Sequence, residues 1–294
     1  TPMMRQFHTI KREHPDKILF YRMGDFYEMF GDDAIVSAKV LQIALTSRDK
    51  KSRNSVPMCG VPYHAADSYL ARLVKKGFRV AICEQMEDAK KAKGIVRREV
   101  VRVISPGTLT DTQQLDAREP SYLLSINRVL HTDKHRNTTK DSNSASVLGV
   151  ALLDLSTGEF SVAEYLGETG RQAFEDELAI LRPREIVVPN NLNAHEMFPS
   201  LMTNEVSITT IEPWNFELET AKSVLLDQLK TSHLDGYGLE DHPTATAAAG
   251  GLIQHLRETQ KADLAHIRTV NFKKLADSLL LDPTTLRHLE LIET

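Results

Sequence analysis

Cysteine is scarce in this chain: two in 294 residues, Cys59 and Cys83. Neither has a Cys or His partner at zinc-ligand spacing, and the pair makes no disulfide framework. Such usage points to a reducing compartment, and a cytoplasmic location is the expectation. No apolar run is long enough to cross a bilayer, and no basic-then-apolar leader is found. A phosphate-cradling G-x-x-x-x-G-K-[ST] loop is missing too. Gly250-Gly251 sits in a helical pattern with no Lys and hydroxyl after it. Intrinsic ATP hydrolysis is therefore not expected, and no spacing supports a Ser-His-Asp or Cys-His nucleophile. Repeats and low-complexity tracts are absent as well.

What is present is unevenly charged. The net charge is −4, yet residues 1–110 hold 20 Lys and Arg against 12 Asp and Glu, a net +8, which leaves −12 for the rest. A basic segment in an acidic chain suits a polyanionic partner; ordinary surface variation explains it equally well. The 41% hydrophobic content supports globular cores, and the length suits about two domains.

Over residues 2–14, Met3, Phe7 and Ile10 recur at helical spacing, and Pro15 stops the run. Residues 17–23 read as a strand. Gly31-Asp32-Asp33 opens a helix with the apolar stripe Ala34, Ala38, Leu41 and Leu45. Residues 47–55 hold no apolar side chain and read as an exposed loop. Its Arg48, Lys50, Lys51 and Arg53 suit phosphate contact, or simply solvation. Residues 57–64, with two prolines, read as a rigid apolar turn. Ala66, Leu70 and Leu73 mark a helix ended by Gly77. Residues 78–82 and 97–104 read as strands. The first unit, residues 1–108, is thus mixed α/β.

Residues 109–120 are polar without a period and read as a linker. Residues 131–144 form a long polar loop, and residues 147–155 a nearly continuous apolar strand, as expected when both faces are buried. Further strands at 160–165, 185–188 and 206–211 alternate with helices marked by Phe174, Leu178 and Leu181, then by Leu218, Ala221, Leu225 and Leu229. That alternation argues for an α/β domain over residues 121–233. Residues 234–242 read as a second linker. Residues 243–294 read as the start of an all-α domain, with a second helix opened by Asp282-Pro283. A helical part that breaks off so early leads to the expectation of a fragment.

Two places invite chemistry. Asp154, near the end of the long apolar strand, is where a sheet-borne carboxylate of a metal-dependent nuclease would sit. Glu175, Asp176 and Glu177 on the next helix look like its solvated face, however, and an acid just ahead of Ser156-Thr157-Gly158 is more simply a turn cap. The other place is the run from Leu19 to Phe30, two extended pieces around the turn signal Gly24-Asp25. Residues two apart on a strand share a face, so Phe26 and Glu28 point one way and Tyr27 the other. A flat ring beside a carboxylate suits stacking on a base and hydrogen bonding to its edge. It is more often the make-up of an ordinary aromatic core hairpin.

In context that run resembles the MutS family of bacterial DNA mismatch-recognition proteins. The resemblance rests on Phe20-Tyr21-Arg22-Met23-Gly24-Asp25-Phe26-Tyr27-Glu28, Pro57-Met58-Cys59-Gly60-Val61-Pro62-Tyr63-His64-Ala65 and Val80-Ala81-Ile82-Cys83-Glu84-Gln85. Thr1-Pro2-Met3-Met4, residues 101–108 and residues 153–160 extend it along the chain. Cys59 stands where the family usually has Ala. The resemblance implies a mixed α/β mismatch-binding domain, a ribonuclease H-like connector domain without nuclease activity, and the start of an all-α core or lever domain. It implies that Phe26 is a minor-groove wedge stacking on a mispaired base and that Glu28 hydrogen-bonds that base. Met23 and Met58 are then expected to flank the wedge, and the 47–55 loop with Arg97 and Arg98 to meet phosphates. No cofactor is expected in this chain; ATP and Mg belong to the family's full-length protein. Expected partners are mismatched duplex DNA and, through the connector, MutL. The full-length protein is expected to be a homodimer, this chain a monomer, and its location nucleoid-associated.

Overall fold

The computed structural model describes residues 1–48, 55–87, 94–109, 122–130, 146–202, 206–260 and 264–273. The chain divides into two compact units, built mainly on residues 1–117 and 118–258.

In the first unit the order is α1 (Pro2–Glu13), β1 (Ile18–Met23), β2 (Phe26–Phe30), α2 (Asp32–Leu41), β3 (Thr46–Arg48), β4 (Val56–Pro62), α3 (Ala66–Lys75), β5 (Val80–Gln85) and β6 (Arg98–Ile104). The sheet runs β3-β4-β2-β1-β5-β6; only β1 and β5 pair in parallel. Strand alternation divides the side chains. Leu19, Tyr21 and Phe30 join Phe7 and Ile10 of α1 in one cluster, whereas Phe20, Tyr27, Met29 and Val61 join Ala34, Leu41, Leu70 and Leu73 of α2 and α3 in another. Helices thus cover both faces, which is why Leu19, Phe20 and Tyr21 in central β1 are fully buried. Asp33 ties the layers: it takes the Leu19 N–H at 3.0 Å and pairs with Lys11 at 2.8 Å.

Three expectations change in this unit. Leu45 is exposed, because α2 ends at Leu41 and Gln42 takes a left-handed φ of 57°. Residues 46–48 and 56–62, expected as loop and turn, are strands β3 and β4. Pro57 and Pro62 stand near the two ends of β4, and the pairing with β3 covers only residues 56–58, so their missing N–H groups cost few ladder bonds. Of the proposed 109–120 linker, residues from 110 on lie outside the described residues.

The second unit holds β7 (Tyr122–Leu130), β8 (Ser146–Asp154), β9 (Glu159–Leu166), α4 (Gly167–Leu181), β10 (Glu185–Pro189), α5 (Ala194–Met197), β11 (Ser207–Ile211), α6 (Leu218–Leu229), α7 (Pro243–Gln260) and β12 (Asn271–Phe272). The sheet order is β11-β10-β7-β8-β9-β12. Strands β7, β8 and β9 form an antiparallel meander, and β10 and β11 continue from β7 in parallel. The polar loop at 131–144 and the helix expected from Asp282 lie outside the described residues.

Helix α7 departs from the expectation that residues 243–294 open a separate all-α part. Its Ala245, Ala248, Leu252 and Leu256 share one buried cluster with Leu123, Leu153 and Val162 of the sheet. The reason is close approach at glycine. A Cβ on Gly149 of β8 would lie 2.1 Å from the Thr244 carbonyl, and one on Gly250 would lie 2.3 Å from Ala221 Cα. Glu164 of β9 fixes the helix start by accepting the Thr244 and Ala245 N–H groups at 2.8 and 2.9 Å, a capping carboxylate supplied from another element. Residues 234–242 are no free linker either, since Leu234 and Leu239 are buried in the same cluster. The short strand β12, which the pattern did not signal, pairs with β9.

Candidate nucleic-acid interface

Strand register gathers the suggestive residues of the first unit at one end of its sheet. Met23 lies opposite Phe26, Phe26 opposite Pro62, and parallel β5 brings Gln85 and Met86 to the same end. Met86 N–H then bonds the Arg97 carbonyl at 2.9 Å. Exposed large hydrophobics collect here: Phe26 at 48%, Tyr63 at 46%, Met86 at 42% and Ile95 at 44%. A bare apolar sheet end rimmed by polar residues is the sort of surface that meets a partner.

The Phe26-Tyr27-Glu28 alternation holds in three dimensions. Tyr27 is buried among α2 and α3 side chains, while Phe26 projects and Glu28 is half-buried. Glu28 faces Tyr21 on β1 and Gly60 on β4. A Cβ at Gly60 would lie 3.7 Å from Glu28 Cγ, so the glycine leaves the flank of the carboxylate open. Met23 and Met58 lie on the face of Phe26 and Glu28, packed against the cluster under α1.

The buried side of the hairpin is polar and connected. The Tyr27 hydroxyl donates to Glu84, and burial, followed by that carboxylate, pushes the phenol up to about 12. Arg22 lies 3.8 Å from Glu84 and stacks 3.8 Å above the Tyr63 ring. Residue-by-residue reading missed Arg22, Tyr63 and Glu84. The signal within reach was that Arg22 alternates to the face of Phe20, where a lone cation needs a partner.

The expected phosphate contacts separate. The Arg97 side chain is 67% exposed and 3.5 Å from Glu99, placed to reach a polyanion. Arg98 does not fit that role: it is 7% exposed, donates to the Arg22 and Val96 carbonyls at 2.7 and 2.9 Å, reaches Gln6 at 3.2 Å and lies over the Tyr21 ring. The strand alternation that turns Arg97 outward turns Arg98 into the sheet. Arg48 closes β3, but its side chain, together with Lys50, Lys51 and Arg53, lies outside the described residues.

Asp154 shows no nuclease geometry. It is 7% exposed, and its Oδ1 takes both the Ser156 N–H at 2.9 Å and the Ser156 hydroxyl at 2.6 Å, the turn-capping alternative. It also lies opposite Tyr122, the start of β7, so it sits at the sheet end away from the carboxyl ends of β7 and β10 where α/β crevices form. A cavity of about 860 Å³ does open at those carboxyl ends, beside Arg128, Asn191 and Asn193. Glu175 pairs with Arg171, and Glu177 accepts from Tyr165. No group of three His, Cys, Asp or Glu suited to a metal occurs among the described residues. Among those residues, likewise, no helix is long and apolar enough to cross a membrane.

A first sheet unit with a bare aromatic end, followed by a second mixed α/β unit, matches a known pair of domains. The model of MutS domain I matches residues 1–113, and that of MutS domain II matches residues 121–268. The chain belongs to the MutS family. It is similar over its whole length to the DNA mismatch repair protein MutS of Solibacter usitatus at 42% identity, of Halothermothrix orenii at 41%, and, at 40%, of Ruminiclostridium cellulolyticum. It spans only 31–32% of the length of these relatives.

Proposed function

We propose that the first unit recognises mismatched or unpaired bases in duplex DNA, with Phe26 as an aromatic wedge at the minor groove and Glu28 as the base contact. The observation that carries this is Phe26, 48% exposed at a rigid sheet end beside half-buried Glu28, while Tyr27 between them is buried. A large apolar ring held out of the core has no folding role at its exposed edge. Inserted at a base step, it selects steps that unstack and kink cheaply, which mismatched steps do. A carboxylate near DNA is repelled by phosphate, and a base edge that shares or gives up a proton to it offsets that repulsion. Arg97 and the 47–55 loop then supply sequence-independent phosphate contact.

The second unit is read as a ribonuclease H-like connector, a reading supported by its three-strand meander continued by two parallel strands, and its docking of MutL rests on family likeness alone. The homodimer and the ATP- and Mg-dependent activity belong to the whole protein in this reading, which sets its location in the cytoplasm at the nucleoid. The domain limits proposed are 1–108, 121–233 and an all-α part within 243–294; the packing of α7 argues for moving the last boundary beyond Gln260.

The deciding experiment is a binding titration of Phe26→Ala against matched and mismatched duplexes. Loss of one base stack removes about 1–3 kcal/mol of mismatch preference. Equal discrimination by variant and parent would sink the wedge assignment.

A further inference from the structure

We infer that Arg22, clasped to Tyr63, is a positioning residue that holds the tip of the β1–β2 hairpin rigid and thereby sets the Phe26 ring for insertion. The inference rests on the wedge reading of Phe26 and deepens it.

The tip is the turn Gly24-Asp25, where Gly24 takes a left-handed φ of 58°. Such a turn leaves its carbonyls to solvent unless something binds them. Both are bound here. The Gly24 carbonyl accepts from Arg22 Nε at 2.6 Å, and the Asp25 carbonyl accepts from the Tyr63 N–H at 2.9 Å. The two donors are themselves coupled, because the Arg22 guanidinium lies 3.8 Å over the Tyr63 ring and 5.4 Å from that of Tyr27. Its other flank is 3.8 Å from Glu84, the acceptor of the Tyr27 hydroxyl. The next residue after the bound turn is Phe26.

The alternative for an arginine in a DNA-binding unit is phosphate contact. Such a guanidinium stays in water until the polyanion arrives. The Arg22 side chain is instead 17% exposed and engages a carbonyl, a ring and a carboxylate at once. A planar guanidinium suits this use, since it stacks with its face and donates with its edge. Restricting the tip before binding removes the ordering entropy that a flexible hairpin loses on inserting its ring.

The test uses the full chain with Arg22→Gln, Arg22→Lys, Tyr63→Leu, Phe26→Ala and the double variant Phe26→Ala/Arg22→Gln. The measurements are binding to mismatched and matched duplexes, hydrogen exchange at the Asp25 and Phe26 amides, and thermal melting. The expected result is a fall in the mismatch-to-match affinity ratio by roughly five- to tenfold for Arg22→Gln and Tyr63→Leu, with faster amide exchange at the tip and retained matched-duplex binding. Arg22→Lys should restore charge but not the ratio, as a lysine keeps no edge donor aimed at Gly24 while stacked. In the Phe26→Ala background Arg22→Gln should change the ratio no further, because a positioning residue acts only through the ring it positions.

An additive loss in that background would overturn the inference and make Arg22 a DNA contact. So would an unchanged ratio in both single variants while Phe26→Ala abolishes it. If Phe26→Ala itself leaves discrimination intact, the wedge reading fails and the clasp falls with it. Tyr63→Leu guards against a folding artefact, because its ring is 46% exposed and replaceable without loss of core.

Discussion

The two units build similar sheets and finish them differently. Among the described residues each carries six strands with helices packed on them, and each buries a tyrosine whose hydroxyl donates to a glutamate: Tyr27 to Glu84, Tyr165 to Glu177. In the second unit the carboxylates bind the protein's own backbone and side chains. Glu164 caps α7, Asp154 ties the β8–β9 turn, and Glu185 takes the Thr209 hydroxyl at 2.5 Å. In the first unit one sheet end stays uncovered, with Phe26 and Tyr63 outward and Glu28 half-buried beside them. A carboxylate in a strand therefore says little alone. The exposure of its apolar neighbours separates an internal cap from a candidate binding surface.

That contrast is breakable at named residues. Gly149→Val should give the largest effect, since any Cβ there meets the Thr244 carbonyl and must lift α7 from the sheet. About 3 kcal/mol or more of second-unit stability should go, read from a denaturant melt, while Phe26 and its neighbours keep their exposure. Asp154→Ala should cost about 1–2 kcal/mol through the lost turn cap, with matched and mismatched duplexes bound as before. A Mg²⁺- or Mn²⁺-dependent cut made by the chain and abolished in Asp154→Asn would reverse this assignment.

Glu28→Ala should leave the first unit folded, read from a denaturant melt. It should lower mismatch discrimination while leaving total affinity equal or higher, since a charge that repels phosphate is removed. A parallel drop in both affinities would show that Glu28 holds the fold and not the base.

The smallest effect is one of pH. Burial raises Cys59 to about 11 and Cys83 to about 12 from 9.0, and burial with Glu84 raises Tyr27 to about 12 from 10.0. Folded values above unfolded ones mean stability that is fully present below pH 9 and lost as pH rises through 11 and 12. Melting of the first unit should thus be unmoved by these groups around neutrality and fall only in alkali. Stability unchanged between pH 9 and 12 would place the thiols and the phenol in water, where folding does not shift their titration.

Elements with a sustained period were legible in the sequence: α1 through Phe7 and Ile10, α3 through Leu70 and Leu73, α6 through Ala221, Leu225 and Leu229, and β8 through its unbroken apolar run. Elements held by pairing were not. Strand β4 contains two prolines and a glycine, and only its antiparallel neighbours on both sides make it a strand. The site divided in the same way. That Phe26 and Glu28 share a face opposite Tyr27 could be read from alternation, whereas Arg98 passed for a phosphate contact until its bonds to Arg22, Val96 and Gln6 were in view. The place of α7 depended on Gly149 and Glu164, about 95 and 80 residues before Thr244 at its start.

By itself the sequence determined which side chains share a face, because pleat and helical turn are set by local backbone geometry. It determined the motif that carries the family resemblance as well. Only the tertiary structure decided which faces remain open, because cover depends on how separate elements pack onto the sheet. That is how Phe26 is left projecting at a bare sheet end while Tyr27, one residue on, is sealed beneath α2 and α3.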